Sequence, residues 1–124
     1  MKVRPAAVAG SFYPADPRRL EAEVRGHLAA AAAPLGWRPK ALIAPHAGYV
    51  YSGPVAGSAF RQLASGCGEI DRVVLLGPSH FVPFAGLALP VAEAFETPLG
   101  DVPVAADAAV HLASLPQVVL SDLP

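Results

Sequence analysis

Short apolar runs separate segments of helical periodicity along this chain. The runs within Lys40–Ala44 and Asp71–Leu76 each contain four consecutive apolar residues, which is typical of strands buried on both faces. Between them, Pro54–Ser65 repeats apolar residues at helical spacing. The pattern therefore predicts a βαβ unit, and we expect its crossover to be right-handed.

A longer helical pattern precedes this unit. Asp16 and Pro17 are typical of a helix start, because aspartate caps the first turn and proline fits the first helical position. Apolar residues then recur every three or four positions, which predicts an amphipathic helix over Asp16–Ala33. The remaining predicted elements are two short strands, a helix and a last strand: Leu87–Val91, Val102–Val104, Asp107–Leu115 and Gln117–Leu120.

These elements predict the α/β class, as three α/β/α layers around a mostly parallel central sheet. The chain has 124 residues, which is enough for one domain. Its last predicted strand begins shortly before Pro124, and no later helix covers the sheet. Because an uncovered parallel sheet exposes apolar surface and unpaired backbone groups, we expect the domain to be truncated.

Composition narrows the possible functions. Apolar residues make up 53% of the chain and charged residues 15%, and the mean hydropathy is +0.42. No apolar stretch reaches the ~20 residues that cross a bilayer, and no signal peptide is evident, so we expect a cytoplasmic protein. The net charge is -1 without a basic patch, so nucleic acid and membranes are not expected partners. The single cysteine, Cys67, excludes a disulfide within the chain.

Two histidines are the strongest candidates for chemistry. His46 and His80 each follow one of the two predicted strands of the βαβ unit. The carboxyl ends of neighbouring parallel strands meet at one edge of the sheet, where α/β proteins build their sites. Since imidazole is the commonest metal ligand, the pair predicts a metal site. The alternative for each histidine is a structural role, in which it caps a helix or stabilises a turn.

Hydroxyl-bearing residues surround both histidines, and we expect them to line a pocket: Tyr49, Tyr51, Ser52 and Ser79. The third metal ligand stays open. Cys67 is a poor candidate for this ligand, because it lies before the second strand, at the opposite edge of the sheet. Three carboxylates are possible ligands, but their positions are also typical of solvated turns: Glu93, Glu96 and Asp101. His27 and His111 lie within helical patterns and are expected to pack or to face solvent. Gly53 and Gly57 lack the flanking residues of a phosphate-binding loop.

Four motifs occur in order along the chain: Arg4 with Ala9–Tyr13, then Pro45–Gly53, Leu76–His80 and Glu96–Gly100. They resemble the signatures of the Memo family, known in prokaryotes as AmmeMemoRadiSam system protein B. The resemblance covers nearly the whole chain, and the motif around His46 is its most specific part.

The resemblance implies a fold like that of the catalytic subunits of class III extradiol dioxygenases, which hold ferrous iron with two histidines and a carboxylate. It implies that His46 and His80 are ligands of iron or copper, and it implies AMMECR1-like and radical-SAM proteins as partners. The family's third candidate ligand is a cysteine in its later half, to which Cys67 does not correspond. Residues 1–124 therefore resemble the N-terminal part of a single Memo-type α/β domain, which a missing C-terminal half or self-association would complete.

Two functions stay open. In the first, His46 and His80 bind a metal for redox or dioxygenase-like chemistry. In the second, the protein is a non-catalytic module that binds a peptide or protein in the same pocket, where the histidines make hydrogen bonds. An inactive part of a split protein is a third, simpler possibility.

Overall fold

The computed structural model describes residues 1–123 and divides the chain into two compact units. The helical unit comprises Ala7–Asp71, and the sheet unit comprises Met1–Ala6 together with the chain from Arg72 onward. The elements in chain order are β1 (Val3–Arg4), α1 (Pro17–Ala30), α2 (Tyr49–Phe60), a 3₁₀ helix (Arg61–Gly66), β2 (Leu87–Leu89), β3 (Ala94–Phe95), β4 (Val102–Pro103), α3 (Ala106–Ala113) and β5 (Val118–Leu120).

Helix α1 begins where the sequence predicts. The Asp16 carboxylate accepts a hydrogen bond of 2.8 Å from the Arg19 amide, and Pro17 occupies the first turn. Leu20, on the inward face, is only 5% exposed. The predicted helix over Asp16–Ala33 is therefore confirmed, with an end three residues earlier.

Helices α1 and α2 pack closely because two glycines of α2 have no side chain. A Cβ at Gly57 would lie 2.7 Å from the backbone oxygen of His27, and a Cβ at Gly53 would overlap the imidazole ring of His27. Both glycines are buried. Gly53 and Gly57, which do not fit a phosphate-binding loop, thus form a surface of α2 against which α1 packs. His27 packs on this surface, as expected.

The predicted start of α2 is wrong. The apolar spacing predicts a helix from Pro54, whereas α2 begins at Tyr49 and contains Pro54 in its interior. Proline lacks an amide hydrogen, so it is unusual in this position. The earlier start is stabilised from outside the helix, since the Tyr49 amide donates a 2.7 Å hydrogen bond to the Phe12 carbonyl.

The sheet unit contains two small sheets. In the first, β3 lies between β1, which pairs with it in parallel, and β4, which pairs with it antiparallel. In the second, β2 and β5 pair in parallel, with Leu87 opposite Val118. Ala94, in the middle strand of the first sheet, is 1% exposed. The α/β class is confirmed, as are the regions predicted for β2, β4, α3 and β5.

An acidic side chain connects the second sheet to the start of the chain. The Asp122 carboxylate accepts hydrogen bonds of 2.5 Å from the Lys2 ammonium group and 2.7 Å from the Val91 amide. The hydrogen bond from Lys2 is the main reason that the pKa of Asp122 lies below its ordinary value, and the Val91 amide adds to it. The carboxylate therefore links Lys2 and Val91, which are far apart in sequence.

The two strands on which the predicted βαβ unit depends are absent from the described part of the chain. Neither Lys40–Ala44 nor Asp71–Leu76 pairs with a strand within residues 1–123. The side chain of Ile43 is fully exposed, and those of Val73–Leu76 are 74–88% exposed. Their apolar sequence is that of strands with neighbours on both sides, and the described residues supply no such neighbours. Within residues 1–123, no helix is long and apolar enough to cross a membrane.

Candidate functional site

The helical unit contains a cavity of about 450 Å³ between α1, α2 and the turns before them. Most of its wall is apolar. Its aromatic and imidazole lining residues are Phe12, Tyr13, His27, His46, Tyr49 and Phe60. The cavity is therefore an apolar space into which a few polar groups are directed.

The first turn of α2 positions the residues around His46. The Ser52 side chain is buried, and its hydroxyl donates a 2.7 Å hydrogen bond to the Ala47 carbonyl. This bond holds the segment that carries His46 against the start of α2. His46 itself is exposed at the edge of the cavity, so its imidazole is accessible to solvent.

Tyr49 lies among aromatic neighbours in the cavity wall. Its ring centroid is 5.7 Å from that of Tyr13 and 6.0 Å from that of His27. Burial raises the pKa of the Tyr49 phenol above its ordinary value, and the charges of Tyr13 and Glu23 raise it further. At neutral pH the phenol is therefore an uncharged group that can both donate and accept a hydrogen bond.

His27 is a polar cavity residue that was not predicted from the sequence to belong to the site. Its Nε2 atom is buried and has no hydrogen-bond partner among residues 1–123, although a Glu23 carboxylate oxygen lies 3.6 Å away. The sequence does contain a signal for this position: Gly53 and Gly57 are spaced four residues apart on one face of a helix, which permits close packing of another helix.

His80 and Ser79 belong to the sheet unit. The Ser79 hydroxyl donates a 2.7 Å hydrogen bond to the Val82 carbonyl and accepts one from the Val82 amide at 3.3 Å, which closes a turn. The exposed His80 ring lies 6.4 Å from that of Phe81, centroid to centroid. Tyr51, in the helical unit, is 83% exposed and is not among the cavity-lining residues.

The donor set for a metal is incomplete within residues 1–123. No group of three or more His, Cys, Asp or Glu side chains among them is arranged to hold a metal ion. Cys67 is exposed, in the helical unit. Assignment of His46 and His80 as two ligands stays a prediction.

Fold and cavity define a small α/β protein whose helical unit carries an aromatic, imidazole-edged cavity. Comparison with known proteins then gives its family: the model of the Memo-like protein family matches residues 4–123, and the chain belongs to this family. The resemblance found in the sequence motifs is thereby confirmed.

Named relatives agree with this assignment. A MEMO1 family protein of Pyrobaculum arsenaticum is 39% identical over 116 residues, which are 88% of this chain and 41% of that protein. The protein memo-1 homolog of Caenorhabditis elegans is 43% identical over 79% of this chain and 27% of its own length. Protein MEMO1 of Danio rerio is 44% identical over 82% and 33%, respectively. The chain thus spans less than half the length of these relatives.

Proposed function

We propose that His46 and His80 are two ligands of an iron or copper site that serves redox or dioxygenase-like chemistry. The observation that carries the proposal is the position of His46. Its imidazole lies at the accessible edge of a cavity whose wall includes Tyr49 and Ser52, in a chain of the Memo-like family. Imidazole nitrogen suits both iron and copper.

The residues of this chain supply part of such a site. A bound iron or copper ion would supply one-electron and Lewis-acid chemistry. The Ser52 hydroxyl, through Ala47, holds the segment that carries His46, and the neutral Tyr49 phenol offers a hydrogen bond to a molecule in the cavity. The aromatic wall offers that molecule an apolar surface. Because no three metal-binding side chains are grouped among residues 1–123, the affinity of this chain for the metal is expected to be low without a further donor.

Metal titration tests the two ligands. Purified chain is titrated with ferrous ion under anaerobic conditions and, separately, with cupric ion, and the dissociation constant is measured for wild type, His46→Ala and His80→Ala. Each substitution is expected to weaken binding at least ~10-fold, since even residues behind the ligands have effects of this size. His111→Ala, an exposed histidine in α3, is the matched control and should leave the constant unchanged. Equal constants in all four proteins would sink the ligand assignment.

A second candidate function follows from the apolar wall of the same cavity. A non-catalytic module would bind an aromatic or aliphatic side chain of a peptide there, with Tyr49 and His46 as hydrogen-bonding groups. Binding of a peptide by wild type, with no metal effect and the same affinity in His80→Ala, would favour this candidate over the metal site.

A further inference from the structure

A groove of about 420 Å³ lies beside the aromatic cavity of the helical unit. The two spaces are neighbours, because they share three aromatic lining residues: Phe12, Tyr13 and Tyr49. The groove is the more polar of the two, since its lining also includes three charged side chains at the start of α1: Asp16, Arg19 and Glu23. The proposed function uses none of these charges.

Arg19 and Glu23 present opposite charges on one face of α1, because residues four apart on a helix are surface neighbours. They do not pair with each other. The Arg19 guanidinium makes no hydrogen bond or ion pair among residues 1–123, and a carboxylate oxygen of Glu23 lies 3.6 Å from His27 Nε2, beyond hydrogen-bond distance. The groove therefore holds a cation and an anion side by side, and both are open to a further partner.

The third charge, on Asp16, is already used by the helix. Its carboxylate accepts the 2.8 Å hydrogen bond from the Arg19 amide that caps α1. Its negative charge still adds to that of Glu23, so the negative charges of the groove outnumber the positive one. A ligand of this groove must therefore bring a positive group, and a purely anionic ligand is disfavoured.

The shared aromatic residues suit an apolar group beside these charges. The Phe12 side chain is 46% exposed, and the Tyr13 and Tyr49 rings lie 5.7 Å apart at an angle of 43°. Aromatic rings pack favourably against one another in tilted and offset arrangements. A ligand with an aromatic side chain therefore gains both apolar contact and ring packing in the groove.

We propose that the groove binds an apolar α-amino acid as its zwitterion. The carboxylate of the amino acid pairs with Arg19, the ammonium group pairs with Glu23, and the side chain packs against the three aromatic residues. An α-amino acid carries its two opposite charges on one carbon, which matches neighbouring opposite charges on a helix face. Guanidinium is well suited to a carboxylate because it can donate two parallel hydrogen bonds. The proposal does not depend on metal binding.

Titration of the isotope-labelled chain, followed by NMR, tests the groove with L-phenylalanine as the probe. A chelator is present, because an amino acid could also bind a metal ion held by His46. N-acetyl-L-phenylalanine lacks the ammonium charge, and L-phenylalaninamide lacks the carboxylate. We expect chemical-shift changes at Phe12, Tyr13 and the first turns of α1. At low ionic strength, where ion pairs are least screened, each analogue should bind ~5-fold or more weakly than L-phenylalanine.

Four variants of α1 make the result specific. Arg19→Gln and Glu23→Gln should each weaken binding of L-phenylalanine ~5-fold or more. Arg18→Gln and Glu21→Gln are the matched controls, since both residues are exposed on the same helix and neither lines the groove. Both controls should leave the dissociation constant unchanged, and circular dichroism checks the helix content of all four variants.

Three outcomes would overturn the proposal. The first is the absence of L-phenylalanine binding by the wild-type chain. The second is equally tight binding of L-phenylalaninamide, because the amino terminus of a peptide would then fit as well as a free amino acid. The third is an equal loss of affinity in the control variants, which would indicate only a general effect of surface charge.

Discussion

Tyr49 is the residue whose ionisation the cavity alters most clearly. Its folded-state pKa lies above the ordinary 10.0 because burial disfavours the phenolate. A raised pKa means that the folded state retains the proton longer than the unfolded state. The resulting contribution to stability is complete below pH 10.0 and is lost as the pH rises through the folded-state value.

We therefore expect Tyr49→Phe to remove the component of phenolate absorbance that appears at the highest pH. The variant should also show a shallower decline of the free energy of unfolding above pH 10.0. Tyr51→Phe, which changes an exposed tyrosine of the same helix, is the control and should retain both properties. If the two variants titrate alike, burial does not govern the ionisation of Tyr49.

At the scale of elements, the close contact between α1 and α2 depends on glycines of α2, which have no side chain. A Cβ at Gly57 would lie 2.7 Å from a backbone oxygen of α1, which cannot move without shifting the whole helix. We expect Gly57→Ala to lower the free energy of unfolding by about 1–3 kcal/mol, as overpacking does. The measurement is urea unfolding followed by circular dichroism.

Gly26→Ala is the matched control for this change. Gly26 also lies inside a helix, α1, but a Cβ there meets no atom within 4 Å. Alanine should therefore raise the free energy of unfolding by about 0.5–1 kcal/mol, because it loses less conformational entropy than glycine. Stabilisation by both substitutions would show that α1 and α2 do not pack as described.

The elements that the sequence predicts well are those with local signals. Helix α1 has its Asp16 cap and its apolar spacing, and both act within a few residues of each other. The start of α2 escapes prediction because the bond between the Tyr49 amide and the Phe12 carbonyl joins segments distant in sequence. Strand β1 is missed since two residues carry no periodicity.

Within the site, too, local features are predictable from the sequence and long-range contacts are not. The motif around His46 is contained in one short segment, so the sequence identifies it, whereas the hydrogen bond from Ser52 to Ala47 within that segment is seen only in the structure. The contribution of His27 depends on the packing of two helices. The spacing of Gly53 and Gly57 indicates a closely packed face of α2, but it does not identify His27 as the residue packed there. The strand pattern of Val73–Leu76 is recognisable, but its pairing depends on neighbours that residues 1–123 do not provide.

For the whole molecule, the exposed area of 9250 Å² is larger than the roughly 6,200 Å² of a compact folded monomer of this mass. The free energy of unfolding is therefore expected to depend only weakly on denaturant. The denaturant slope scales with the area exposed on unfolding. An unfolded chain of 12.7 kDa exposes about 18,400 Å², so folding to 9250 Å² buries about three quarters of what a compact monomer would bury.

We expect the urea slope of the isolated chain to be about three quarters of that typical for its length. Circular dichroism and the fluorescence of Trp37, the single tryptophan, should be followed together, because the two units could unfold separately and also lower the slope. With coincident transitions, a slope of full size would contradict the exposed area described here.

The Asp122 carboxylate has a consequence for the order in which the molecule is assembled. It binds Lys2, which lies 120 positions earlier in the sequence. Strand β1 likewise can pair only after β3 has been made. The sheet unit is thus split in sequence, with the continuous helical unit, Ala7–Asp71, inserted into it. During synthesis on a ribosome, α1 and α2 can pack early, whereas β1 must stay unpaired until Ala94 and Phe95 of β3 have been made, and Lys2 until Asp122 has been made.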